Sequence, residues 1–339
     1  MPTAIEWTDE TWNPIRQRRP GHRSGHYCLK LSPGCDNCYA GRQQPVRFHG
    51  RDYEPATAAT IATARDLVAA GEIFLDPKTL EQPLSWRRPR RVFVCSMTDL
   101  FGEWVPTSWI DNINAVMAAA RYHTFQVLTK RPHQMADYLS DPDAPRRINL
   151  EMNALSDFHR RPRIDLLGLV DEAWPLPNAW LGVSVELDRF AWRAKALAEI
   201  PAAVRFVSAE PLLGPLPSLE LKCRDCLGTG RGDVLDPDAR CGSCNGSGRA
   251  IDWLIVGGES GGPADRRLVH KVRHHVDRED VWSPTSEAFR AVRDLRERAQ
   301  ATGVAFFFKQ WGGPTPKSGG RLLDGKEWSE YPSAQELPA

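Results

Sequence analysis

The stretch HYCLKLSPGCDNCY, His26 to Tyr39, puts three cysteines, Cys28, Cys35 and Cys38, on one short segment in a C-x6-C-x2-C spacing. Three thiolates cannot alone close the tetrahedral shell of a structural zinc site. They can hold three irons of a four-iron cluster and leave the fourth open. The same residues allow a Cys3His zinc site completed by His22, His26 or His49. What separates the two is where the loop sits relative to the rest of the chain.

Outward from that loop the chain alternates strand and helix. Ile5 to Asp9 has the alternation of a short strand and leads through Trp12-Asn-Pro14 into the cysteines. Residues 56–70 are Ala-rich with helical spacing, and Gly71 is their stop. Then come Arg91 to Ser96 as strand, Thr107 to Ala120 as amphipathic helix capped by Thr107 or Ser108, Thr124 to Thr129 as strand, and Pro132 to Leu139 as helix. After a Pro-, Asp- and Arg-rich excursion at 141–177 the alternation resumes with strand 179–185, helix 188–198 and strand 204–209. A second excursion, 215–250, precedes strand 252–256, helix 284–301 and strand 304–308. Such alternation predicts an α/β fold with parallel strands, a partial TIM-like (β/α) barrel of six or about seven units over residues 1–311. The Gly- and Pro-rich tail, 312–339, reads as irregular.

Every strand stops on polar residues: Ser96 and Asp99; Thr129, Lys130 and Arg131; Ser184 and Glu186; Ser208 and Glu210; Gly257, Gly258, Glu259 and Ser260; Lys309, Gln310 and Trp311. In parallel βα barrels chemistry collects at the carboxyl ends of the strands, where the βα loops converge. Ordinary solvation accounts for some of these residues, but it predicts mixed turn chemistry at both ends of each strand. The pattern therefore points to a shared pocket with the cysteine loop as its first wall.

A length of 339 residues with 41% apolar content allows a sizeable core. Forty-four basic residues nearly cancel 43 acidic ones, which excludes a global field that demands nucleic acid. Arginine runs at 16–19, 87–91, 146–147 and 160–163 are local exceptions. With no signal peptide and no apolar run of about 18 residues, the expectation is a cytoplasmic protein without membrane partners, its eight cysteines reduced and available as ligands.

Cys223, Cys226, Cys241 and Cys244 form two copies of C-x2-C-x-G-x-G with fourteen residues between Cys226 and Cys241. Four thiolates so spaced predict a closed Zn2+ site, an inserted knuckle over 215–250 that resembles one zinc module of J-domain chaperones. It either grips a substrate or partner or staples a long loop. Cys95, in an apolar strand, reads as a buried thiol rather than a fourth cluster ligand.

IEWTDETWNP, SPGCDNCYA, RRVFVCSMTDLF, HTFQVLTKRP, WLGVSVE, VRFVSAEPLLGP, DWLIVGGESG and FFFKQWG together resemble a phage and prophage family of unknown function, described as radical-SAM-like with a three-cysteine motif. The resemblance runs from Ile5 to Trp311 and implies a partial barrel binding a [4Fe-4S] cluster and S-adenosylmethionine. Its departure is the longer first gap, six residues where C-x3-C-x2-C is usual. The expectation is a radical S-adenosylmethionine enzyme supplied by an electron donor protein. Cys28, Cys35 and Cys38 would hold the cluster, with Ser96, Asp99, Ser184 and Glu186 on the cofactor and Lys130, Glu210, Glu259, Lys309, Gln310 and Trp311 on the substrate. The substrate would be a nucleobase in phage DNA or its precursor, with Trp7, Trp12 and Trp311 offering faces for stacking. Two alternatives stay open: a zinc-stabilised nucleic-acid-binding protein, and a TIM-like hydrolase using Glu210 and Glu259 as a carboxylate pair.

Overall fold

The computed structural model describes residues 3, 5–18, 21, 24–47, 52–158, 170, 174–232, 239–273, 280–315 and 317–332. Seven parallel strands form one sheet: β1 (Glu10–Trp12), β2 (Arg91–Val94), β3 (Thr124–Thr129), β4 (Ala179–Ser184), β5 (Val204–Ala209), β6 (Trp253–Gly257) and β7 (Ala305–Gln310). Neighbours in the sheet follow the order of the chain, which is the α/β topology of a partial TIM-like barrel. The chain divides into two compact units, Met1–Leu181 with Ile200–Ala203, and Gly182–Glu199 with Val204–Ala339. No helix among the described residues is long and apolar enough to cross a membrane.

In the first unit β1 pairs with β2 from Glu10↔Val92 to Trp12↔Val94, and β2 with β3 from Arg91↔Thr124 to Val94↔Val127. The expected strand at Ile5 to Asp9 is a turn, with Thr8 N–H on the Ile5 carbonyl and Asp9 spent on Arg91 through its carboxylate. The sheet begins one step later, at Glu10. Helix α1 (Tyr39–Arg47) follows the cysteine loop, and α2 (Ala58–Ala69) opens on a Thr57/Thr60 capping box. Gly71 ends that segment at φ +70°, as expected.

Helix α3 (Thr107–Ala119) buries Ile110, Ile113, Val116 and Met117; Pro106 stands at its N-cap, in place of the expected threonine or serine. Helix α4 (Pro132–Leu139) has the expected bounds. The excursion expected at 141–177 is corrected by α5 (Ala144–Phe158), a fifteen-residue helix whose Ala144, Ile148 and Met152 are fully or almost fully buried. Its apolar residues recur every four positions, so one stripe is buried between polar flanks.

In the second unit Phe206 of β5 faces Trp253 of β6, and a bulge at Val256/Gly257 brings Gly257 opposite Gln310 of β7. Gly182 is required here, because a Cβ on it would stand 2.4 Å from the Phe206 ring. Helix α6 (Trp192–Ala198) follows one short turn, and α7 (Ser286–Thr302) is capped by Thr285 and ended by Gly303 at φ +68°. An antiparallel ladder, Val269–Arg273 with Asp280–Pro284, precedes α7 and has no counterpart in the sequence reading. The described part of the tail forms no long element, yet it docks on β7: Phe308 N–H donates to Trp328 and Glu330 N–H to Phe306.

Candidate functional site

The cysteine loop is built from local turns. Leu29–Lys30 pairs in parallel with Glu54–Pro55, a tight turn covers Pro33–Cys35, and Cys38 stands just before α1. All three thiols are half-buried, and Cys28 and Cys38 pack against Ala40, Tyr53 and Met97. Burial is the main force raising the Cys38 thiol pKa; N–H groups of Gly41 and Ala40 at the start of α1 oppose it, Cys35 adds to it, and Lys130 opposes it. Burial likewise pushes Cys28 well up, Arg131 opposing while Asp99, Cys35 and Cys38 add. Cys28 and Cys38 thus both lie within the field of Cys35, and each lies near one cation just past β3, Arg131 for Cys28 and Lys130 for Cys38.

The loop after β2 is stitched to this segment by side chains. Tyr39 donates to the Ser96 carbonyl at 2.6 Å, Tyr53 to the Met97 carbonyl at 2.6 Å, and the Thr98 hydroxyl to the Tyr27 carbonyl. Asn13 adds a link from β1, accepting from Met97 N–H at 2.8 Å and donating to the Ser96 hydroxyl at 3.1 Å. Cys95, expected inside the strand, stands just past it in a turn at φ +54° with its carbonyl on Thr98 N–H. Its thiol is buried, and burial, then Asp99, drives its pKa up.

The carboxylate of Asp99, a residue expected on the cofactor, already accepts from four protein donors. These are Phe101 N–H at 3.1 Å, the Thr129 hydroxyl at 2.7 Å, Lys130 N–H at 3.2 Å and Arg131 Nη1 at 3.0 Å. Arg131 Nε donates to Glu103 at 2.7 Å, and its guanidinium lies 5.0 Å over the Trp104 ring. Burial lowers the Arg131 pKa, but Asp99, Cys28 and Glu103 outweigh it and the net shift is upward. Sequence reasoning put Arg131 among the strand-end polar residues without a role, and missed Trp104, Tyr27 and Tyr53. The signal for Arg131 was its place two residues after Thr129, where its N–H bonds the Thr129 hydroxyl at 2.9 Å.

The residues expected on cofactor and substrate in the second unit each have a protein partner. Glu186 is fully buried on Arg193 at 3.1 Å, and the Ser184 carbonyl accepts from the same Arg193 nitrogen at 3.0 Å. Glu259 takes Arg266 through two bonds of 2.8 Å. Glu210 pairs with Lys309, and Gln310 donates to Ser260 at 2.8 Å while accepting from Lys317 N–H at 3.2 Å. Glu210 and Glu259 thus each pair with a different cation, Lys309 and Arg266. Trp7, Trp12 and Trp311 offer no open face, with exposures of 2%, 0% and 2%. Trp311 stacks on Phe289 and donates to the Leu322 carbonyl at 2.9 Å. Rings of this size give more stabilisation in the core than on a surface.

The four knuckle thiols are buried with all their sulfurs within 4.8 Å of one another. Gly230 and Gly248 N–H groups donate to Cys226 and Cys244 Sγ, each at 3.2 Å. Although burial raises the Cys226 pKa, the Gly230 and Gly228 amides and the Cys244 and Cys223 thiols bring it down to about 7. Among the described residues this is the one group of His, Cys, Asp and Glu side chains gathered for a single ion. Of the histidines considered for the first loop, His26 is buried with Nδ1 3.2 Å from the Ile15 carbonyl, and His22 and His49 lie outside the described residues. The arginine run at 160–163 lies outside them too.

A family model described as "Protein of unknown function (DUF5131)" matches residues 2–282 and 284–332. No curated protein matches the chain. Among solved structures, a spore photoproduct lyase complexed with dinucleoside spore photoproduct is similar over 87% of this chain and 78% of its own, at 10% identity and a TM-score of 0.38.

Proposed function

The chain belongs to the DUF5131 family of proteins of unknown function, so its chemistry has to be read from its residues, and we propose that it is a radical S-adenosylmethionine enzyme. One observation carries this reading. Three half-buried thiols stand on one loop, Cys28 and Cys38 packed on Ala40, Tyr53 and Met97, and that loop is tied by Tyr39, Tyr53 and Thr98 to the carboxyl end of a parallel strand.

The donor set fits a [4Fe-4S] cluster. Thiolate sulfurs are its usual ligands, the Ala40 and Gly41 amides and Lys130 offset negative charge at Cys38, and Arg131, also just past β3, does so at Cys28. Cys28, Cys35 and Cys38 would hold three irons and leave the fourth to the amino and carboxylate groups of S-adenosylmethionine. The chemistry available with the cluster bound is one-electron cleavage of the sulfonium, giving methionine and a 5′-deoxyadenosyl radical that takes a hydrogen atom from substrate. Asp99 holds Arg131, Glu186 holds Arg193, and Ser96 and Ser184 present backbone carbonyls already engaged. On this reading Asp99 and Glu186 are positioning residues for arginines. Lys130, Glu210, Lys309, Glu259 and Gln310 remain the candidates for substrate.

A nucleobase of DNA or its precursor is the proposed substrate, supported by the phage-family resemblance and by the exposed Arg87 and Arg88. We place the protein in the cytoplasm, with an electron donor protein as partner, because its thiols need a reducing compartment.

Anaerobic reconstitution tests the reading. The expected result is a brown protein with about four irons and about one zinc that releases 5′-deoxyadenosine from S-adenosylmethionine. Replacing Cys28, Cys35 and Cys38 by alanine should abolish iron and nucleoside release and leave zinc in place. A colourless protein with about two zincs would instead identify a zinc-stabilised binding protein.

A further inference from the structure

The Arg131 side chain is only 2% exposed, and its nitrogens are not all satisfied. Nη1 is taken by Asp99 and Nε by Glu103, which leaves Nη2 buried without a hydrogen-bond partner among the described residues. Trp104 Nε1, in the ring beneath the guanidinium, is buried in the same state. Buried N–H groups are almost always paired, so an orphan charged donor calls for an acceptor that belongs to the working protein.

The surroundings indicate which acceptor. Trp104 meets Tyr27 edge to face with centroids 5.6 Å apart, and Tyr27 immediately precedes Cys28. Thr98 fixes the Tyr27 carbonyl, and Asp99 beside it fixes Arg131. The guanidinium cannot swing away, because two carboxylates and an aromatic face hold it. A lysine has the charge but not the planar fork that reaches Asp99, Glu103 and a third acceptor together.

We propose that Arg131 Nη2 donates to sulfur at the Cys28 corner of the cluster, and that this hydrogen bond and its charge raise the cluster's reduction potential. The inference rests on the cluster reading above. A positive donor stabilises the more negative, reduced state and makes the electron easier to accept.

The test uses the full-length protein, reconstituted anaerobically, as wild type, Arg131→Gln, and Arg131→Gln combined with Asp99→Asn. The double variant removes the carboxylate that the single one would leave buried without its cation, so it carries the test if the single variant fails to fold. Two quantities are measured: the midpoint potential by electron paramagnetic resonance, and the coupling of exchangeable protons to the reduced cluster in H2O and D2O. We expect Arg131→Gln to shift the midpoint negative by a roughly tenfold change in the reduced-to-oxidised ratio at fixed potential, about 59 mV for one electron. Both variants should lose one exchangeable proton coupling while keeping iron. Unchanged couplings and midpoint in iron-loaded variants would overturn the role of Arg131 and leave the cluster reading standing. Failure of the wild type to bind iron would overturn both.

Discussion

The Tyr53 hydroxyl donates to the Met97 carbonyl at 2.6 Å while accepting from Gln44 at 3.1 Å, so one buried phenol joins α1 to the loop after β2. Gln44 lies nine residues before it and Met97 44 residues after it. The bond fixes the wall against which Cys28 and Cys38 pack.

Tyr53→Phe should therefore cost about 1–3 kcal/mol, because it leaves a buried carbonyl without its donor. Urea unfolding should show a lower midpoint with an unchanged slope, and reconstituted protein should lose iron to a chelator faster than wild type.

The knuckle offers a sharper test in glycine. Gly230 has φ +74°, and a Cβ there would stand 2.3 Å from the Gly246 carbonyl oxygen. Gly230→Ala should release zinc at lower chelator concentration than wild type, read by a colorimetric zinc indicator, while Gly242→Ala, with nothing within 4 Å, should not.

Glu186 and Arg193 form a pair exposed by 0% and 1%. Glu186→Met alone should destabilise by about 3–5 kcal/mol, because a buried guanidinium loses this carboxylate. Adding Arg193→Met should recover most of that loss. Equal stabilities of the single and double variants would contradict the coupling.

Stability should also fall in mild acid through His123. Burial, then Arg90, lowers its pKa below 6.5, against the opposing bond from its ring to the Pro83 carbonyl. A group with a depressed folded pKa contributes fully above its unfolded value and loses that contribution as pH falls through the folded one. The melting temperature should drop from pH 7 toward pH 5, and His123→Gln should flatten that slope.

Much of this was readable from the chain. The bounds of β3, β5 and α4 are those expected from apolar runs and turn residues, and both cysteine groups stood out because ligand spacing is a local property. Helix α5 was hidden because Pro142, Pro145 and the arginines around it mask Ala144, Ile148 and Met152. Charge pairing was not readable either. Whether Asp99 meets Arg131, or Glu259 meets Arg266, depends on which loops approach one another, and residue type does not encode that. The tryptophans misled for a related reason: an aromatic beside polar neighbours reads as a surface, but Trp311 points back into the core.

The knuckle enters and leaves at almost one point, with Ala250 N–H on the Leu221 carbonyl at 2.9 Å and Lys222 bridged to Arg249. Such a neck makes the module portable. A deletion of residues 222–249 would ask the backbone to span only one cross-strand step, so the segment can be gained or shed as a cassette without reregistering β5 against β6.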